Sequence, residues 1–213
     1  EDQYAVYLRE REKIGKPVYE IPGNHDPLDL FRKHIRRQID VAIDHKWLKF
    51  VLVGNAHTDS HHGFLTDEQL KWIESQCHAA VKEQRYVMLC LHVPVHSNRH
   101  PDRGWYVKPE NGQTKLYDII KRYKQHIVAM LHGHFHNGVR GWKDDGGIHE
   151  ICLPSVLYNL DRGLEKQKAA GYNPLEFRAG YTMITIDNGL MTLDYKPLGA
   201  DVSINKKFEF DRA

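Results

Sequence analysis

The sequence has few cysteines, little net charge and no long hydrophobic run. Its three cysteines are an odd number with no Cys-x-x-Cys pair, so nothing indicates a disulfide framework. The formal net charge of +2 gives no bulk electrostatic reason to expect a nucleic acid or a membrane as a partner. The longest apolar runs, such as residues 86–91, have the length of a β-strand and are too short to span a bilayer. These absences leave a globular protein whose compartment and oligomeric state stay open.

Histidine is the residue in excess, with 15 copies among 213 residues. The remaining composition is ordinary, with 41% hydrophobic and 27% charged residues. The length suffices for one sizeable core, and no linker, repeat or low-complexity run divides the chain. We therefore predict a single domain over residues 1–213, and the abrupt start of the chain suggests that this domain is incomplete at its N-terminus.

Helical and strand patterns alternate along the first two thirds of the chain and are followed by β-structure. Helices are predicted at about 3–14, after an N-cap at Asp26, after the capping box of Thr66 and Gln69, and over 113–125. Apolar runs predict strands at 17–22, 48–55, 86–91, 127–131 and 146–155, and a hairpin at 180–198. Continuous apolar runs are typical of strands that are covered on both faces. This order predicts an α/β fold with a largely parallel first sheet and a more antiparallel second sheet.

Three of the predicted strands end in polar residues that can bind a metal ion. The first strand ends in Gly23-Asn24-His25-Asp26, the third in His92, and the fourth in His132-Gly133-His134-Phe135-His136. The carboxyl ends of neighbouring parallel strands meet at one edge of a sheet, which is where ligands bind. Imidazole and amide ligands that arrive from separate strands indicate a divalent transition metal.

Each of these groups has a simpler explanation when it is taken alone. A single histidine after a strand, such as His92, is more often a hydrogen-bonded residue of the core or the rim. Gly23-Asn24-His25-Asp26 is also an ordinary turn sequence, because Gly, Asn and Asp are frequent turn formers. His132 fits either a residue that supports the metal ligands or a buried structural histidine. The joint pattern is more specific than any of its parts.

In their order and spacing, these groups resemble the last three motifs of the calcineurin-like metallophosphoesterases. The matching segments are Gly23-Asn24-His25-Asp26, His92 with Val93-Pro94, and Gly133-His134-Phe135-His136. The helix between Gly63 and Glu74 and the closing hairpin also fit that family, and the resemblance covers roughly residues 16–160. It implies a four-layer α/β/β/α sandwich with mixed sheets and the hydrolysis of a phosphomonoester or phosphodiester.

The resemblance further implies two divalent metal ions (Mn, Fe or Zn) and a small-molecule phosphoester substrate. Asn24, His92 and His134 would bind one metal ion, and His136 would bind the other. The two ions would hold the phosphate oxygens and activate a water for in-line attack on phosphorus. His25 would lie near the scissile ester oxygen and protonate the leaving group, and Asp26 would support its loop.

The family also has two earlier motifs, Asp-x-His and Gly-Asp-x-x-Asp, and neither is present in residues 1–22. These motifs would supply an Asp and a His to the first metal ion and the Asp that bridges both ions. Without them, one ion keeps three neutral ligands and the other keeps one. We therefore expect a fold that lacks its first strands, in an N-terminally truncated piece of a competent enzyme that has little or no activity by itself. Its sheet would expose an edge or a core surface.

The polar loop 93–112 is expected to line the substrate cleft in a fold of this kind. Arg99 or Arg103 could bind a phosphate, and Trp105 could stack on a base or another ring. A solvated loop explains the same residues equally well.

A second polar loop contains His57, His61 and His62, and we expect these three histidines at the surface. For the chain as a whole, the alternative function is a non-catalytic scaffold or binding protein on the same fold. The presence of His25, which has little use without catalysis, favours the enzyme.

Overall fold

The computed structural model describes residues 2–97, 104–136, 140–143, 147–157, 175 and 178–210. The larger of its two sheets contains β1 (Val41–His45), β2 (Leu48–Val53), β3 (Tyr86–Leu91), β4 (Ile127–His132), β5 (Arg140–Lys143) and β6 (His149–Cys152). The smaller sheet contains β7 (Gly180–Asp187), β8 (Leu190–Pro197) and β9 (Ile204–Glu209). The α-helices are α1 (Asp2–Glu12), α2 (Leu28–His34), α3 (Asp67–Lys82) and α4 (Gln113–Tyr123), with 3-10 turns at Pro109–Asn111 and Lys124–His126. None of these described helices combines the length and the apolarity needed to cross a membrane.

The larger sheet has the strand order β1-β2-β3-β4-β6-β5. Its inner strands β2, β3, β4 and β6 are parallel, whereas β1 and β5 pair antiparallel at the two edges. The smaller sheet is antiparallel, in the order β7-β8-β9. The predicted α/β fold, with a mostly parallel first sheet and an antiparallel second sheet, is therefore confirmed.

Helices α3 and α4 cover one face of the larger sheet, and the smaller sheet covers part of the other face. Ile73 of α3 and Leu116 of α4 are fully buried in the first of these two core layers. Met191 and Leu193 of β8 are fully buried in the second layer, together with Met88 of β3. All six residues of β4 are buried, as its continuous apolar run predicts. The described residues thus form three of the four predicted layers.

Residues 17–22, which the apolar pattern predicts as a strand, do not join either sheet. Prolines at both ends of the segment lack the N–H groups that a β-ladder needs. The carbonyl oxygens of Val18 and Glu20 accept hydrogen bonds from the guanidinium groups of Arg11 and Arg36 instead. The strand prediction was wrong because side-chain donors take the place of a neighbouring strand.

The sequence patterns also missed the three edge strands β1, β5 and β9. Strands β1 and β9 largely alternate between half-buried and exposed residues, so no buried apolar side chains mark them. The turn from β1 to β2 contains Lys46 at a φ of 54°, a left-handed conformation at a residue that is not a usual turn former. Edge strands of this kind carry a weak sequence signal, because most of their stability comes from the neighbouring strand.

An apolar groove of about 580 Å³ lies on the second face of the larger sheet, near the carboxyl ends of its strands. Its apolar lining includes Phe50, Leu52, Cys90, Leu131 and Leu153. The expected exposure of a core surface where earlier strands belong stays a prediction, which this groove does not test.

The capping box of α3 gives a direct test of the helix packing that supports the sheet. Thr66 Oγ1 accepts from the N–H of Gln69 at 3.1 Å, and Gln69 Oε1 accepts from the N–H of Thr66 at 3.0 Å. Thr66→Ala should lower the free energy of unfolding by about 1 kcal/mol in urea denaturation, because the N–H of Gln69 loses its acceptor at the end of the helix. The control His78→Ala, on the exposed side of the same helix, should change it by less than about 0.5 kcal/mol. Equal effects of the two variants would contradict the capping role.

Candidate metal centre

The carboxyl ends of β3 and β4 meet the turn before α2 at one edge of the larger sheet. His92 follows β3, Gly133 and His134 follow β4, and the turn contains Asn24. Asn24 and His134 are buried, and His92 is half-buried. The structure therefore brings together the three residues that the sequence predicts as ligands of one metal ion.

Asp26 closes the turn that presents Asn24. Its Oδ2 accepts from the N–H of Gly23 at 2.9 Å, and its Oδ1 accepts from the hydroxyl of Tyr4 at 3.1 Å. Helix α2 begins only at Leu28 and has no side-chain cap, so the prediction of Asp26 as its N-cap was wrong. The carboxylate binds the start of the turn instead of the start of the helix. This contact is compatible with the prediction that Asp26 supports the loop of His25. That role stays a prediction.

Gly23 allows the ring of His92 to lie directly against the backbone of this turn. A Cβ atom added at Gly23 would lie 2.9 Å from Cε1 of His92, which is closer than real Cβ contacts. Any larger residue at this position would push the imidazole away from Asn24. The lack of a Cβ at Gly23 therefore permits this close contact between the turn and His92.

The chain turns sharply after β4 and presents two histidines. His134 has a φ of 74°, and the N–H of Phe135 donates to the carbonyl of Gly133 at 2.9 Å, as in a γ-turn of the rare positive-φ type. His136 is also left-handed, with a φ of 52°. Phe135 is 1% exposed and anchors the turn in the core between the two histidines. Left-handed backbone at non-glycine residues is costly and clusters at functional sites.

Three atoms form what we call the ligand triangle: Asn24 Oδ1, His92 Nε2 and His134 Nδ1. His92 Nε2 lies 3.0 Å from Asn24 Oδ1 and 3.2 Å from His134 Nδ1. His134 Nδ1 lies 3.1 Å from Asn24 Oδ1. Ligand atoms at right angles around a metal ion, each about 2.1 Å from it, are about 3.0 Å apart. The triangle therefore fits one face of the coordination sphere of a divalent ion.

Neighbouring groups direct the lone pairs of two members of the triangle, His134 and Asn24, inwards. His134 Nε2 donates to the carbonyl of His61 at 3.0 Å, which leaves Nδ1 without a proton in the neutral ring. The amide Nδ2 of Asn24 faces Nδ1 of His61 at 3.4 Å, which keeps Oδ1 of Asn24 in the triangle. A proton on His92 Nε2 can join the three atoms by hydrogen bonds, and a divalent cation would take the place of that proton.

The ligand histidines are neutral at pH 7. Burial lowers the pKa of His92 to about 4, and the charges of His136, His132 and His25 add to the shift. Burial, and then the charge of His92, lowers the pKa of His134 to about 3. Because only the neutral imidazole binds a metal ion, these shifts favour metal binding at neutral pH.

His136 and His25 lie near the ligand triangle, since the charge of each lowers the pKa of His92. His25 is exposed, so a substrate can reach it, and His136 is half-buried. These positions are compatible with proton donation by His25 and with binding of a second ion by His136. Both roles stay predictions. In the part of the chain that the structure describes, no three His, Cys, Asp or Glu side chains form a metal-binding group. The candidate centre therefore depends on the amide oxygen of Asn24.

The structure adds His61 to the site. Its side chain is exposed, as expected, but its carbonyl and Nδ1 face His134 and Asn24. Its ring stacks on Trp105, with ring centroids 4.2 Å apart and 16° between the planes. No local pattern separates His61 from the other two histidines of its loop, because only the path of the loop brings it to the site.

The other candidate residues divide into two groups. Trp105 lies at the site, with its ring 5.3 Å from that of His134. Arg99 and Arg103 lie outside the described residues. His132 is buried, with Nε2 3.7 Å from Oε1 of Glu150, which suits the alternative of a structural histidine.

Three buried histidines should make the folding stability depend on pH. The pKa values of His92 (about 4), His132 and His134 (both about 3) in the folded chain lie below the ordinary value near 6.5. At pH values between the folded and the unfolded pKa, these histidines bind more protons in the unfolded chain than in the folded chain. The free energy of unfolding therefore falls as the pH falls from about 6.5 to about 4. Urea denaturation should therefore show a lower midpoint at about pH 5 than at about pH 7.

Two variants separate this effect from general acid denaturation. His134→Leu removes one buried titrating group and should make the loss of stability between the two pH values smaller. His78→Ala removes an exposed histidine and should leave the loss unchanged. Equal midpoints for the unmodified chain at both pH values would show that its buried histidines do not behave in this way.

No protein-family model matches the chain. A probable cyclic nucleotide phosphodiesterase of Pseudoalteromonas sp. (strain SM9913) is 25% identical over 182 residues, which cover 84% of this chain and 67% of that protein. A 3',5'-cyclic-nucleotide phosphodiesterase of Nostoc sp. (strain PCC 7120) is 26% identical over 152 residues, covering 67% and 52%. A probable glycerophosphodiester phosphodiesterase of Arcobacter nitrofigilis is 22% identical over 144 residues, covering 63% and 51%. The chain thus spans about half to two thirds of the length of these relatives.

The fold is also similar to a solved structure. A dimetal phosphatase from Danio rerio superposes with a TM-score of 0.67 at 14% identity, over 96% of this chain and 76% of that chain. At so low an identity the likeness concerns the fold, with its mixed sheet and its second sheet. The sequence relatives are phosphodiesterases by name and the structural neighbour is a dimetal phosphatase, and both agree with the resemblance of the three motifs to those of the calcineurin-like metallophosphoesterases.

Proposed function

We propose that the chain carries part of the active site of a metal-dependent phosphoesterase, which hydrolyses a small-molecule phosphomonoester or phosphodiester. The observation that supports this proposal most strongly is the ligand triangle of Asn24, His92 and His134. Two imidazole nitrogens and an amide oxygen at this spacing suit Mn²⁺, Fe²⁺ or Zn²⁺. In the proposed enzyme, His136 contributes to the site of a second ion.

Divalent metal ions in such a site neutralise the charge of the phosphate oxygens and lower the pKa of water. The residues of the chain would bind the ions and donate a proton to the leaving group. Hydrolysis breaks the bond between phosphorus and the ester oxygen, and the leaving oxygen takes up a proton. His25 is exposed and adjacent to the ligand Asn24, so we assign it the role of the proton donor. Asp26 holds the backbone of the turn through Gly23 and thereby fixes both residues.

The names of the relatives favour a phosphodiester as the substrate class. Two of them are described as cyclic nucleotide phosphodiesterases and one as a glycerophosphodiester phosphodiesterase. The stacked rings of His61 and Trp105 offer an aromatic surface beside the ligand triangle. We propose that this surface contacts the ring or the alcohol group of the substrate, and that Arg99 or Arg103 binds its phosphate.

The ligand triangle is electrically neutral, which limits its affinity for cations. None of the described Asp or Glu residues is hydrogen-bonded to its three atoms. Neutral ligands alone bind a divalent ion weakly, because carboxylates supply much of the attraction in oxygen-rich metal sites. We therefore propose that full activity needs acidic ligands in addition to these residues, and that the 213-residue chain by itself has little activity.

A non-catalytic binding protein on the same fold remains the second candidate function. The exposed position of His25 beside the candidate centre supports the enzyme, because this residue holds no other element of the turn in place. The two functions differ in one measurable respect. A binding protein would hold a metal ion without hydrolysing any phosphoester, whatever its flanking sequence.

Metal binding tests the ligand set directly. A Zn²⁺ titration against a chromophoric chelator should show at most one weakly bound ion per chain. Asn24→Ala and His134→Ala should remove this binding, because each takes one atom from the ligand triangle. His78→Ala, which removes an exposed histidine far along α3, should leave it unchanged. Two tightly bound ions per chain would refute the proposal that acidic ligands are missing.

Hydrolysis of a generic aryl phosphodiester and monoester with Mn²⁺ tests the reaction. The chain by itself should be nearly inactive, and a polypeptide extended by the sequence encoded upstream of Glu1 should show activity that a chelator abolishes. His25→Ala in that polypeptide should lower kcat by about 100-fold or more with unchanged metal content, as expected for the loss of a proton donor. Equal activity of this variant would remove the proposed role of His25. An upstream sequence without Asp-x-His and Gly-Asp-x-x-Asp would contradict the phosphoesterase itself.

A further inference from the structure

The backbone segment His92–His96, which we call the His92 loop, is bound along its whole length by other parts of the chain. It joins the end of β3 to the chain that leads to Trp105, and its first residue supplies one atom of the ligand triangle. Every N–H group in the loop has a hydrogen-bond partner, since Pro94 has none to offer. A loop at the end of a strand is ordinarily among the more mobile parts of a fold. The number and kind of its partners therefore call for an explanation.

Asn55 binds the first half of the loop. Its side chain follows β2, is 0% exposed, and accepts with Oδ1 from the N–H groups of His92 and Val93 at 3.0 Å each. Its Nδ2 donates to the carbonyl of Val93 at 2.8 Å. The buried amide of Asn55 can make four hydrogen bonds, and three of them go to two adjacent residues of the loop.

Glu150 binds the second half of the loop. It lies in β6, is 0% exposed, and accepts from the N–H of Val95 with Oε1 at 2.5 Å and from the N–H of His96 with Oε2 at 2.8 Å. Hydrogen bonds from amides to a carboxylate are short and roughly twice as strong as neutral ones. A buried carboxylate is costly, and these two amides are among the groups that compensate for its burial, together with His132, whose Nε2 lies 3.7 Å from Oε1.

The carbonyl groups of the loop are held as well. Gly133 donates its N–H to the carbonyl of His92 at 3.2 Å, which ties the loop to the turn that presents His134. The N–H of Val107 donates to the carbonyl of Pro94 at 2.8 Å, and Gln113 Nε2 donates to that of Val95 at 2.5 Å. Asn55 and Gly133 thus bind the backbone of His92 itself. Glu150, Val107 and Gln113 bind the rest of the loop.

We propose that Asn55 and Glu150 are positioning residues for His92, an inference that rests on the proposed metal site. Neither residue touches the ligand triangle. Asn55 binds the N–H of His92 directly, and Glu150 fixes the other end of the same loop at Val95 and His96. Together they set the direction from which His92 Nε2 reaches Asn24 Oδ1 and His134 Nδ1. A shift of a few tenths of an ångström would break the spacing of about 3 Å that a single ion requires.

Metal affinity measures this role in the complete chain. Asn55→Asp keeps the acceptor for two N–H groups and loses the donor to Val93, Glu150→Gln keeps one acceptor, and Asn55→Leu removes all contacts. Each should weaken Zn²⁺ binding by about 10- to 100-fold, with the largest loss for Asn55→Leu. Ile73→Ala is the matched control, because it destabilises the core under α3 without touching the loop. It should leave the affinity of the folded chain unchanged.

A second measurement needs no metal ion and keeps the inference separate from the proposed function. In the metal-free chain, the ring of His92 packs against Gly23, so NMR should show a nuclear Overhauser effect between His92 Hε1 and the Gly23 Hα protons. The imidazole ¹⁵N shifts should report a single tautomer. In Asn55→Asp and Glu150→Gln this contact should weaken and the tautomers should mix, whereas Ile73→Ala should keep both signals.

The outcomes distinguish the two proposals. If the unmodified chain binds no metal ion but the variants lose the His92 signals, the metal site fails and the positioning role stands. If the conservative variants fold and keep both the His92 signals and the metal affinity, the positioning role is overturned. Asn55→Leu can prevent folding, and in that case the two conservative variants carry the test.

Discussion

The candidate centre depends on one constraint, which is that three acceptor atoms are held about 3 Å apart at a buried position. Asn24 Oδ1, His92 Nε2 and His134 Nδ1 lie 3.0 to 3.2 Å from one another. Atoms of like partial charge do not remain so close unless a proton or a cation lies between them, or unless the surrounding fold holds each of them. Burial increases this cost, and the lowered pKa values of both histidines are a direct consequence. The rest of the site consists of the contacts that enforce this arrangement.

These contacts come from parts of the chain that are distant in sequence. Asp26 closes the turn of Asn24, and the buried ring of Phe135 anchors the left-handed turn of His134. Asn55 and Glu150 bind the backbone amides that follow β3. The parallel inner strands allow this, because their ends lie side by side and each can support the turn that follows its neighbour. The site is thus held by hydrogen bonds to its backbone more than by contacts with its ligand atoms.

The same arrangement accounts for the limited chemistry proposed for the chain by itself. Neutral ligands leave most of the charge of a divalent ion uncompensated, and the phosphoester adds an anion that can use it. An apolar groove lies at the same end of the sheet, on the face that the smaller sheet covers in part. Both features are compatible with a chain that spans about half to two thirds of the length of its sequence relatives.

The sequence by itself determined the α/β class, the buried parallel strands and the three groups of polar residues that meet at their ends. These features are readable because long apolar runs, the capping box at Thr66 and strand-end histidines are local patterns. Only the tertiary structure decided that residues 17–22 stay outside the sheet, that Asp26 binds its own turn, and that His61 faces the ligand triangle. The roles of Asn55 and Glu150 were equally invisible, since neither residue lies in a motif. In each case the contacts include a hydrogen bond to a group that is distant in the sequence. Such hydrogen bonds produce no hydrophobic periodicity and no local motif, so the sequence pattern does not indicate them.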